Sequence, residues 1–77
     1  MARYFFHVRQ DRTVFEDPRG CEFPDIVAAW HWAMSDVRAI VREGQLQGSI
    51  DQQWIDIADE TGAIVASLPF VRVLQPH

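Results

Sequence analysis

The chain has 77 residues, 48% of them hydrophobic and 12% aromatic, with seven arginines, no lysine and eleven acids giving a net charge of −4. It is too apolar to be disordered and too short for two cores, so residues 1–77 are read as one small domain. Cys21 is the single cysteine, which excludes an intrachain disulfide, and the acidic balance argues against nucleic acid, whose binders usually carry a basic excess.

The first element runs from Arg3 to Arg9. Tyr4, Phe6 and Val8 alternate with Arg3, Phe5, His7 and Arg9, the period of two that marks a strand with one apolar face. Gln10-Asp11-Arg12 is short and polar enough for a hairpin loop, and Thr13 to Glu16 reads as the returning strand. Asp17-Pro18-Arg19-Gly20 then places Asp, Pro and Gly where a type I turn prefers them.

Pro24-Asp25 announces a helix, because the Asp25 carboxylate can accept from free backbone N–H groups at the positive end of the helix dipole. The spacing predicts a helix over Ile26 to Glu43, ended by Gly44 in the left-handed conformation. Ile26, Ala29, Trp30, Ala33, Val37, Ile40 and Val41 fall on one stripe, expected to face the sheet with Trp30 filling the space beside the two alanines. Gln45 to Asp51 is read as a loop. From Trp54 to Ala58 the period returns to two, and Asp59-Glu60-Thr61-Gly62 makes the turn of a second hairpin. The last strand is predicted from Ala63 to Leu68, with Phe70 to Leu74 continuing it after a bend at Pro69.

The expectation is therefore an α+β domain of order β-β-α-β-β, an antiparallel sheet of about four strands with one long helix packed on one face. No His, Cys or acidic spacing matches a zinc or calcium site, and no nucleophile elbow or phosphate loop occurs. Cys21 is read as an inert, buried small hydrophobe. No enzyme, cofactor or metal is implied.

Two surfaces ask for an explanation. Trp32 is expected on the outer face of the helix, away from Val37 and the sheet, flanked by the small residues Ala28, Ser35 and Ala39. Small residues beside one aromatic make a shallow surface for another helix; the alternative is that Trp32 lies against the Gln45 to Asp51 loop. The second surface is the uncovered face of the sheet. If Tyr4, Phe6, Val8, Ile55 and Ile57 face the helix, that face receives Arg3, Phe5, His7 and Arg9 together with Trp54 and Asp56. Arginines among aromatics resemble in kind the platforms that bind single-stranded RNA, but the spacing of an RNA-recognition strand is missing.

The RYFFH start, the EDPRGCEFPD segment, the helix beginning IVAAW, and DETG followed by SLPF resemble a group of small bacterial proteins classed as a domain of unknown function. The resemblance spans nearly the whole chain and implies no activity. Trp30, His31 and Trp32 depart from the charged and small residues expected there. More remotely, the hairpin, the Gly20-Cys21 segment and the alanine-rich helix are similar to the HicB-like antitoxin domain, which neutralises a small RNA-cleaving toxin.

Domains below about 80 residues often add a disulfide, a metal or a partner chain, and self-association is the source of stability left open here. The function expected is an interaction or regulatory module that forms a homo-oligomer, a dimer first, with a small protein partner as the second choice. No membrane-spanning or leader segment is evident, so a cytoplasmic location is expected.

Overall fold

The computed structural model describes residues 1–45 and 48–74. Leu46 and Gln47 of the expected loop, and His77, lie outside the described residues. The elements are β1 (Ala2–Gln10), β2 (Thr13–Phe15), β3 (Cys21–Phe23), α1 (Ile26–Arg42), a single 3₁₀ turn (Ile50–Gln52), β4 (Gln53–Ala58), β5 (Ile64–Pro69) and α2 (Phe70–Leu74). The sheet is antiparallel in the order β2-β1-β4-β5, with β3 also paired to β1. One long helix packs against it, as the order of periodicities requires.

Phe6 lies opposite Ile57 and Val8 opposite Ile55 in the β1–β4 ladder. Their shared face meets Ala29, Ala33 and Val37 of α1, and all three α1 residues are fully buried. Alanines at two successive turns let the helix axis approach the sheet closely. Local chemistry sets both helix ends. The Asp25 carboxylate accepts from the Ala28 N–H at 2.9 Å. At the other end Gly44, at φ +72°, lets its own N–H reach the Val41 carbonyl and the Gln45 N–H reach the Ile40 carbonyl.

Three expectations need correction. Phe70–Leu74 is a helix and not a continued strand. Pro69 cannot donate to a ladder, and a turn of helix at Phe70 buries both Phe70 and Val73 against α1 and β4, which an extended chain would split between two faces. Second, Ile26 and Trp30 are not core: they remain 36% and 39% exposed, Ile26 as the first residue of the helix and Trp30 turned about 100° round it from the buried Ala29. Third, the segment after the first turn forms the short strand β3, which pairs Cys21 with Tyr4. Cys21 is exposed there, not buried.

Candidate interaction surfaces

The residues that alternate with the core along β1 are each engaged within the chain. Arg3 donates from Nη1 to the Arg19 carbonyl at 2.7 Å, and its backbone N–H donates to Glu60 Oε1 at 3.0 Å. The Phe5 ring lies against Gly20, where a Cβ would come within 2.9 Å of the ring and 2.6 Å of the Tyr4 carbonyl oxygen. His7 Nδ1 accepts from the Asp17 N–H at 3.0 Å. Three of the four residues thus hold the Asp17–Gly20 turn against β1.

That turn fills a gap in the sheet. β2 pairs with Val8 to Gln10 and β3 with Ala2 to Tyr4, leaving the middle of this edge of β1 without a neighbour. Asp17 supplies the missing acceptor: its Oδ2 takes the Phe6 N–H at 3.2 Å, while Oδ1 takes the N–H groups of Arg19 and Gly20 at 3.1 and 3.0 Å. Burial pushes the Asp17 carboxyl up, but the N–H groups of Gly20, Arg19 and Phe6, with His7 alongside, hold it below the ordinary carboxylate value.

Arg9, the fourth residue, belongs to a different group. Its Nε donates to Asp56 Oδ2 at 2.6 Å and its Nη2 to Oδ1 at 3.2 Å, a two-pronged pair. The Ser67 hydroxyl donates to Asp56 Oδ1 at 2.6 Å. The guanidinium also lies 4.9 Å from the centroid of the Trp54 ring, its direct neighbour across the ladder. Asp56 is 7% exposed although it sits on the face α1 does not cover. The uncovered face is therefore closed in part by its own side chains, and both Arg9 and Trp54 are occupied.

Trp32 is not on an isolated outer face. Its ring centroid stands 4.7 Å from that of Phe6 and 6.1 Å from that of Phe23. Measured from Ala29, three residues away, Trp32 is only about 60° round the helix, so a side chain of its length reaches over the flank of the core. It remains 43% exposed. Of its expected neighbours, Ser35 is exposed and Ala28 and Ala39 are half-buried. The surface grouping of Ala28, Trp32, Ser35 and Ala39 thus reduces to a ring that is half core and half surface.

What the periodicities did not single out is the opposite flank of α1. Trp32 fixes one flank over β1 and β3, so the other, carrying Val27, Trp30 and Met34, lies on the β4–β5 side. Val27 is 59% exposed and Trp30 39%. The signal was available in composition: from Ile26 to Ser35 no Asp, Glu, Lys or Arg occurs.

A groove of about 260 Å³ lies between Val8, Phe15, Ile40 and Gln45, and a more polar one of about 450 Å³ between Gln10, Asp11, Ser49 and Gln53. Among the described residues no group of three or more His, Cys, Asp or Glu is placed to hold a metal ion. No helix among them is long and apolar enough to cross a membrane.

A five-stranded antiparallel sheet with a long helix on one face and a turn clamped by an aspartate defines a small α+β domain. The chain belongs to the family described as Domain of unknown function (DUF6894), whose model matches residues 3–71. No curated protein and no solved structure matches it.

Proposed function

We propose that the domain is a non-enzymatic interaction module that self-associates. The observation that carries this reading is the first half of α1, free of Asp, Glu, Lys and Arg from Ile26 to Ser35, with Ile26, Val27 and Trp30 all substantially exposed. Large aromatics held in water on a rigid helix are the anchors typical of protein contacts, and contiguous exposed apolar surface on a small domain marks a docking site. Arg9 is already paired and stacked, which weighs against the sheet face as an RNA platform, since little free positive charge is left there for phosphate. The HicB-like alternative assigns the same apolar surface to a small RNA-cleaving protein instead of a second copy.

Sedimentation velocity across a wide concentration range tests the reading. A species of twice the monomer mass that grows with concentration supports it. A monomer throughout, even at about 1 mM, removes self-association at any affinity of use.

A further inference from the structure

β5 ends the sheet, and no described element pairs with its outer side. Natural edge strands are usually guarded by charge, an interior proline or brevity. Between Ala63 and Leu68 there is no charged residue, and Pro69 comes only at the last position. Ile64 is 54% exposed and Val65 45%; the one irregularity is a register shift near Ala58 that leaves Ala66 to Leu68 in regular pairing.

Resting on the self-association proposed above, we infer that the second copy docks through β5, paired antiparallel with its own counterpart across a two-fold axis, so that two sheets become one. Three features of the chain select a second copy over a foreign strand. The first is charge. A two-fold antiparallel pair sets the start of one β5 against the end of the other. The turn at Asp59 and Glu60, whose carboxylates keep their negative charge while accepting from Thr61, Ala63 and Arg3 of their own chain, then lies toward Arg72 of the second copy, and this happens twice by symmetry. Arg72 is exposed and takes part in no ion pair among the described residues. Within the strand, the lack of charge means that self-pairing opposes no like charges.

The second feature is the helix. Joining two sheets at β5 places both copies of α1 on the same face, each turning its β4–β5 flank toward the other. That is the flank carrying Val27, Trp30 and Met34. α2 fills this side only toward the C-terminal half of α1, where Phe70 and Val73 pack into the core with Val37 and Val41. The N-terminal half is left for the second copy. A foreign strand would cover the edge and leave this stripe in water.

The third is area. Stable protein contacts bury roughly 1,600 Å² in total, and a seam between two short strands is too narrow to reach that alone. Strand pairing together with helix contact supplies both the direction and the apolar area.

The test combines sedimentation velocity with amide hydrogen exchange on the wild-type chain. The outward-facing amides of β5 are expected to become protected as concentration rises, while exposed loop amides do not change. Val65→Lys and Trp30→Glu should each weaken dimerisation by about tenfold or more. Trp32→Glu, on the opposite flank, should leave the dissociation constant within about threefold of wild type. Arg72→Glu should weaken association, and the difference from wild type should shrink as salt is raised and the charge attraction is screened. A dimer whose β5 amides exchange as fast as in the monomer overturns this geometry but leaves self-association standing. A monomer at every concentration overturns both. Because the exchange measurement needs no variant, misfolding of a substituted chain cannot mask the answer.

Discussion

The backbone N–H of Phe6, in the middle of a strand, donates to the side chain of Asp17. A carboxylate thus takes the place of a neighbouring strand where β2 has ended and β3 has not begun. This explains why one sheet edge can be built from two short strands of three residues each without leaving a hole between them.

Asp17→Ala should cost about 1–3 kcal/mol, because three N–H groups lose a charged acceptor and one of them lies on the core strand. The pH dependence follows from the lowered native value. The stabilisation is fully present above the unfolded carboxylate value and is lost as pH falls through the lower native one. Urea denaturation of wild type between about pH 6 and pH 3 should show falling stability, and the slope should be shallower in Asp17→Asn. Equal slopes in both chains would assign the acid sensitivity elsewhere.

Gly20→Ala and Gly62→Ala should differ sharply although both glycines have positive φ, +67° and +88°. Each alanine incurs about 1–2 kcal/mol for the left-handed conformation. At Gly62 a Cβ meets nothing within 4 Å, whereas at Gly20 it lies 2.6 Å from a backbone oxygen of β1. Gly20→Ala should therefore displace the turn and lower the melting temperature well beyond Gly62→Ala. Similar melting temperatures would show that the turn yields easily.

Removing either partner of the Arg9–Asp56 pair should have unequal effects. Arg9→Ala leaves a carboxylate with 10% side-chain exposure and only the Ser67 hydroxyl, at a cost of about 2–3 kcal/mol, the half-exposed arginine keeping it below the range for a fully buried pair. Asp56→Ala leaves a guanidinium that can turn to water or stay over Trp54, and should cost about 1 kcal/mol less. Chemical denaturation of both single variants and the double variant measures the asymmetry and the coupling.

Asp36 should behave with the opposite sign to Asp17. Burial raises its carboxyl above the ordinary value, and the nearby Glu43 carboxylate adds to the rise. A group whose native value is raised in this way binds more protons in the folded chain, so its contribution worsens as pH rises through that window. Asp36→Asn should stabilise the domain at pH 7, by no more than about 1 kcal/mol since the group is only partly buried. A lower melting temperature in this variant would mean that the carboxylate has a role the two repulsive influences do not describe.

Phe70→Ala should be the most damaging of these substitutions, at about 3–5 kcal/mol, because the ring is fully buried and α2 has only five residues to hold it in place. Loss of near-ultraviolet circular dichroism at room temperature would accompany it. A loss below about 1 kcal/mol would make α2 dispensable to the core.

Most of the sheet and the long helix were legible from local pattern alone. Alternation along Tyr4–Phe6–Val8 and Ile55–Ile57 assigned the inner face, and Asp25 and Gly44 marked the ends of α1 by chemistry that acts within a turn of the chain. Such signals depend on neighbours a few residues apart. The rest depended on where whole elements come to lie. Trp30 and Trp32 are both large aromatics near one stripe, and the lateral position of α1 on the sheet sends Trp32 onto Phe6 of β1 and Phe23 of β3 while Trp30, on the other flank, stays exposed. Alternation in Phe70–Leu74 fits a strand as well as a helix until Pro69 closes the ladder and the core offers a space for Phe70. The clamp at Asp17 and the Arg9–Asp56 pair join residues 10 and 47 positions apart. Only sheet register brings those groups within hydrogen-bonding distance, and a shift of one residue would turn each of them to the other face.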